Sequence, residues 1–297
     1  MPVNNNLDAR NSLVNMKTGE KHRTKFVNSL EAVNVTLLNA PTLKQLEDYI
    51  PQFTSGTWSD TPTTEFGDIN EIMNELFDRR LIPSALRTIQ LTFLIEGMDL
   101  IDVTHLIRHK NLEFSSQCTG DRDMRFDDVL IKPSIVESKY EMRYNDICKK
   151  AKELYAEMMD DEDIPILDPR TILPRCMPNY YYVSGNLQDI LGFIKQRKDE
   201  AIDQETMNII ALRMFLEVCK VYPQLKDAID FNEPDYFAIE TSKSGRSSNY
   251  YVPEEKNDIY EYRKDWFIRQ KRRSEMNNGN EYLDLKEKLL KELKDIN

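Results

Sequence analysis

Long apolar runs are missing from this 297-residue sequence. None approaches the roughly 20 consecutive residues that a membrane-spanning helix needs, so no membrane partner is expected. Positive charge is not in excess: the formal balance is -11 and the pI near 5.0, which argues against a nucleic-acid polymer as partner. Histidine is confined to His22, His105 and His109, and no H-E-x-x-H occurs. Neither G-x-G-x-x-G nor G-x-x-x-x-G-K-[ST] occurs, which excludes the common dinucleotide and P-loop fingerprints. The four cysteines (Cys118, Cys148, Cys176, Cys219) form no C-x-x-C pair and read as reduced thiols of a cytoplasmic protein. Met1 to Arg10 lacks a charged-then-apolar pattern, so no secretory signal is expected. No internal repeat is present.

What is there is 40% hydrophobic residues, enough to bury a core. Residues 1–30 are polar and aperiodic and read as an N-terminal extension. Val33–Leu38 reads as a strand, Thr42–Tyr49 as a short helix, Gln52–Phe66 as a loop and Ile69–Arg79 as a helix. Ile89–Ile95 reads as a buried strand closed by Gly97, after which Asp99 caps a helix through Leu106 and onward. LEFSSQ is extended or looped, and Arg125–Lys132 reads as a further strand. Tyr140–Met158 is an amphipathic helix with Tyr144, Ile147, Cys148, Ala151, Leu154, Tyr155 and Met158 on its apolar side. A strand at Tyr180–Val183 leads into a helix over Leu187–Arg197, and Gln204–Val221 is a second long helix. The tail, residues 241–297, is polar, then highly charged, and ends in the helical run DLKEKLLKELK. Helices and strands do not alternate regularly, which points to an α+β fold with a mixed or antiparallel sheet and flanking helices.

Two clusters carry chemistry. The first, Thr104–Cys118, holds an Arg108-His109-Lys110 triplet where a helix ends. Such cations suit a flavin or a phosphate, and they equally complement the negative end of a helix dipole. His105 and His109, four residues apart, would share one helix face, where Glu113 could complete a metal site. The second cluster, Asp168–Arg197, contains Arg170 before an Ile-Leu-Pro stop, Asn186 after a glycine at a strand-to-helix junction, and Arg197 at the end of that helix. Asn186 reads as a helix cap or a ligand contact; the two arginines read as surface groups or as a phosphate grip.

In this order the clusters resemble the flavin-dependent thymidylate synthases. That family carries an R-H-R triplet with a serine after seven further residues; here Arg108-His109-Lys110 is followed by Asn111–Gln117 and Cys118. The strand-glycine-helix piece TFLIEGMDLIDVTHLI matches upstream. Of the family's H-x-S-x-x-E-H only Ser84 survives, with Ile82, Arg87 and Thr88 at the other places. Arg170, Leu173-Pro174, Ser184-Gly185-Asn186 and Arg197 match downstream, so the resemblance spans about residues 34–222 within a domain read as 31–240.

The resemblance implies transfer of a one-carbon unit from methylenetetrahydrofolate to C5 of dUMP, giving dTMP, with FAD as cofactor, NADPH as reductant and a homotetramer with shared active sites. It implies that Ser84, Arg108, His109, Lys110 and Asn186 contact FAD. It implies that His105, Gln117, Cys118, Arg122, Arg170 and Arg197 surround the nucleotide, with Cys118 and Arg197 nearest the chemistry.

The departures are Lys110 for arginine, Cys118 for serine, Gly120 for an arginine that Arg122 could replace from two places on, Leu100 for an arginine and Ala201 for a histidine. They motivate an alternative: a hydroxymethylase acting on dUMP or dCMP, with water in place of hydride. A binding protein that has lost turnover, and a metal-dependent hydrolase built on His105 and His109, are the further readings. Cys118, near arginine and histidine, is also a candidate nucleophile toward C6 of the pyrimidine.

Overall fold

The computed structural model describes residues 22–56, 60, 68–77, 85–116, 122–136, 138–198, 205–232 and 280–296. The chain divides into two compact units, and its mixture of helices and sheet is the expected α+β. Among the described residues no helix is long and apolar enough to cross a membrane.

The first unit comprises Met1–Asn34, Ile95–Arg108 and Ser115–Tyr181. Strand β1 (Phe26–Asn28) leads into a helical turn, α1 (Ser29–Ala32), which Asn28 caps by accepting from Leu30 N. Residues 26–32 are thus regular structure where the sequence reading extends a loose arm to residue 30. β1 lies parallel to β5 (Val129–Ile131), with Phe26, Val27 and Asn28 facing Val129, Leu130 and Ile131. Arg125, read as strand, instead lies in a single 3-10 turn over Met124–Phe126.

Helix α4 (Leu100–Leu106) begins as the sequence predicts. The Asp99 carboxylate accepts from Ile101 N and Asp102 N, while Asp102 accepts from Asp99 N, a reciprocal capping box. Lys132 bridges both carboxylates at 3.0 and 3.2 Å. Gly97 has φ +76°, and a Cβ there would stand 2.0 Å from the carbonyl oxygen of Ala32, so only glycine fits this approach.

Helix α5 (Glu141–Met159) turns a different side inward from the one its apolar stripe suggests. Cys148, Lys152, Tyr155 and Ala156 are buried, whereas Ile147 and Leu154 are exposed. The apolar residues span more of the helix circumference than one contact can cover. The buried side also carries Lys152, whose ammonium donates to the carbonyls of Arg23 and Asp127 and so offsets the cost of its burial. Burial lowers its pKa to about 8. Around it, Met124, Val129, Cys148, Tyr155 and Met177 form the core of this unit.

The second unit comprises Val35–Leu94, His109–Phe114 and Tyr182–Asn297. Helix α2 (Leu43–Gly56) runs past Pro51 through residues read as loop. Leu46, Ile50 and Thr54 continue one buried face, and the Thr54 hydroxyl donates back to the Ile50 carbonyl at 2.8 Å. Helix α3 is Ile69–Phe77. The four-stranded sheet has the order β2 (Asn34–Asn39), β3 (Gln90–Met98), β6 (Asn179–Asn186), β4 (Glu113–Ser115). Within this unit Leu187 N donates to Ile89 O and the Thr92 hydroxyl meets that of Ser184, so β3 and β6 run antiparallel.

Helix α6 (Leu187–Arg197) follows β6 directly, and α7 (Glu205–Val221) is the central helix. α7 is buried nearly all round, as its apolar circumference requires, with α6 on one side and α8 (Asn280–Lys294) on another. Tyr282, Leu289 and Leu293 are the buried contacts of α8, so the charged tail ends in a docked helix.

Candidate active site

Parts of the two chemistry-bearing clusters, His109–Phe114 and Tyr182–Arg197, meet within the second unit. The chain leaving the helix turn enters this unit at His109 and lies along one face of α6. Asn186, Asp189, Phe193 and Arg197 recur at helical spacing on that face. Asn186 is the N-cap: its side-chain oxygen accepts from Asp189 N at 3.0 Å and its amide donates to the Asp189 carboxylate at 2.6 Å. Asn111 donates to the other oxygen of that carboxylate at 3.3 Å. Leu112 approaches Gly185 so closely that a Cβ there would lie 2.5 Å from a Leu112 methyl. His109 sits edge-on to Phe193, with ring centroids 4.7 Å apart at 75°.

The last contact on this face joins the two motifs. Nε of Arg197 donates to Nε2 of His109 at 2.9 Å. As an acceptor, that nitrogen carries a lone pair, which places the ring proton on Nδ1. Arg197 is 5% exposed, and its carbonyl, at the end of α6, accepts from the buried amide of Asn208 at 2.7 Å. The guanidinium is therefore held by the His109 ring, and the backbone of the same residue by Asn208.

Other predicted residues have separate settings. Arg108 and Lys110 flank His109 in sequence and are exposed, with no ion-pair partner among the described residues. Lys110, exposed and next in sequence to the fixed His109 imidazole, is a donor that suits an anionic group such as a phosphate. His105 is half-buried on α4 in the first unit, and that helix ends at Leu106. The shared helix face expected for His105 and His109 is thus absent, because the helix stops before reaching His109; Glu113 lies on β4. Arg170 is half-buried in a 3-10 turn over Pro169–Ile172 in the first unit. Arg122 is ion-paired to Asp127 at 2.8 Å, donates to the Pro178 carbonyl and covers the Tyr180 ring at 5.4 Å. Ser84, Gln117 and Cys118 lie outside the described residues.

Sequence reasoning passed over Asn111, Asp189, Phe193 and Asn208, which position the motif residues. Asp189 had a signal, since it sits three places after the Asn186 cap. Asn208 had none: nothing local marks a mid-helix asparagine as the partner of a carbonyl eleven residues back.

Comparison with known proteins identifies the family and the fold. The model of the family described as thymidylate synthase complementing protein matches residues 44–224, more than half of the chain. Two solved structures share the fold: a UMP/dUMP methylase, PolB, from Streptomyces cacaoi, bound with 5-Br dUMP or with 5-Br UMP. Each is 17% identical; the first has a TM-score of 0.55 and covers 68% of this chain and 94% of its own, and the second has 0.52, 68% and 95%. No curated protein matches the sequence. On the extent of the family match, this chain belongs to the thymidylate synthase complementing protein family.

Proposed function

We propose that this protein transfers a one-carbon unit from methylenetetrahydrofolate to C5 of dUMP, giving dTMP, with FAD as cofactor and NADPH as reductant. The carrying observation is the His109–Arg197 contact, which ties the basic triplet to the helix bearing Asn186. Family membership supports the reaction class, and the bromouridine nucleotides on PolB support a pyrimidine nucleotide as substrate.

C5 of uracil is a weak nucleophile, so the methylene must arrive as an electrophile and be reduced afterwards. FAD, when bound, supplies the hydride for that reduction. The chain's own work is to orient the reactants and to meet developing charge. Arg108, His109, Lys110, Asn186 and Ser84 would hold FAD. Arg197, fixed by His109, would present positive charge to the pyrimidine as its carbonyl oxygens gain negative charge. His105, Gln117, Arg170 and Arg122 would complete the nucleotide contacts, Arg122 by exchanging its Asp127 partner. Cys118 would either fill space or add to C6. We place the reaction in the cytoplasm, on a homotetramer with shared active sites.

The test is chromatography and mass spectrometry of dUMP and dCMP incubated with methylenetetrahydrofolate, with and without NADPH, on protein purified with its bound flavin. Formation of dTMP only with NADPH supports the proposal. A hydroxymethyl product that needs no NADPH would replace it with the hydroxymethylase. Flavin-free protein that turns over no pyrimidine nucleotide, even after FAD is added, would sink both. A covalent adduct of Cys118 with 5-fluoro-dUMP separates its nucleophilic role from packing.

A further inference from the structure

In the first unit, away from the motif face of α6, two cysteines stand together. Sγ of Cys148 lies 3.7 Å from Sγ of Cys176, one thiol donating to the other. Cys148 is buried in the middle of α5, and Cys176 is half-buried in the turn that leads to β6. That turn is held in place: the Arg175 carbonyl accepts from Leu100 N at 2.9 Å and the Cys176 carbonyl from Leu130 N at 2.9 Å. Cys148 lies outside both chemistry-bearing clusters, and Cys176, though within the second, is not among its matched motif residues.

We propose that Cys148 and Cys176 are a reversible oxidation site, which a hydroperoxide converts to an intramolecular disulfide. Two sulfurs already in contact at 3.7 Å have to close to a bond of about 2.05 Å. The two thiols divide the labour by exposure. Cys176 is the less buried of the two, and the Cys148 thiol and the Tyr144 hydroxyl pull its pKa down to about 7. The hydrogen bond with Cys176, and then burial, push Cys148 up, so it keeps its proton. A less buried thiolate beside a protonated partner is the arrangement of an attacking and a resolving cysteine.

The step balances. The Cys176 thiolate attacks one peroxide oxygen, the O–O bond breaks, and the departing hydroxide takes a proton to become water. Cys176 is then a sulfenic acid. Cys148 gives up its proton and attacks that sulfur; the S–S bond forms, the S–O bond breaks and a second water leaves. The two thiols lose two electrons between them, and one hydrogen peroxide is reduced to two waters. Cys219 is an internal control, buried among apolar side chains that push its thiol up to about 12.

The experiment uses the full-length reduced protein treated with hydrogen peroxide, blocked with N-ethylmaleimide and digested with trypsin without reductant. Lys149 follows Cys148 and Arg175 precedes Cys176, so the two cysteines fall in separate peptides. A Cys148–Cys176 bridged pair that dithiothreitol separates, with Cys219 still alkylated, is expected. In Cys148→Ala the sulfenic acid should persist on Cys176 and be trapped by dimedone, which wild type should hardly trap. The proposal fails if both cysteines are recovered alkylated at doses that oxidise another cysteine. It fails equally if Cys176 over-oxidises while Cys148 stays free, or if Cys176 bridges elsewhere. These outcomes are read on wild type, so they stand even if the variant does not fold.

Discussion

Arg197 donates its Nε proton to Nε2 of His109 across 88 residues of sequence. Both groups are held: His109 by the edge of Phe193, and Arg197 by the α6 backbone that Asn208 caps. The contact turns two short, weak motifs into one arrangement.

His109→Ala removes that acceptor and the ring contact. The lost hydrogen bond should cost about 1–3 kcal/mol, and the aromatic contact about 0.5–1.5 kcal/mol more. Urea unfolding of His109→Ala, Arg197→Met and the double variant gives the coupling, expected at about 0.5–3 kcal/mol. Strictly additive effects would show that the pair does not act as a unit.

Asn186 separates a structural role from a cofactor role. Asn186→Ala should lose about 1 kcal/mol through the cap, whereas Asn186→Ser keeps a capping oxygen and most of that stability. If Asn186 also contacts FAD, both variants should purify with less flavin. Full flavin content in a stable Asn186→Ser protein would confine the residue to capping.

Gly97→Ala should destabilise the protein by about 1–3 kcal/mol or more, because it combines a positive φ with a Cβ placed 2.0 Å from the Ala32 carbonyl. The urea midpoint should fall with little change in the slope. A wild-type midpoint would mean that the close approach of the Ala32 carbonyl is wrong.

Asp102 should leave a mark on the pH dependence of stability. Burial, then repulsion from Asp99, outweighs Lys132 and raises its pKa from 3.8 to about 7. The folded state then binds more protons than the unfolded state between these values, so this contribution falls as pH rises from about 4 to about 7. Stability of wild type relative to Asp102→Asn should decrease across that window. A difference that is flat, or that rises with pH, would show Asp102 to be an ordinary ionised partner of Lys132.

Much of the fold was legible because its signals are local. The Asp99 cap, the strand-to-helix junction at Asn186 and the long apolar helix over residues 205–221 depend on neighbours a few places away. The structure departed from the sequence reading both at local helix boundaries and where a distant partner contributed. Thr54 and the buried line of Leu46 and Ile50 carried α2 past Pro51, and the side of α5 that faces inward includes Lys152, held by two carbonyls far away in sequence. A histidine pair four residues apart looked like one helix face until the helix ended at Leu106.

By itself the sequence determined most of the longer elements, the α+β class and, through the order of its motifs, the family. Spacing and capping act over a few residues and survive in the linear chain. Only the tertiary structure decided that His109 faces Arg197, that Asn111 reaches Asp189 and that Cys148 lies against Cys176. Those pairings depend on how whole elements pack, which no local pattern encodes.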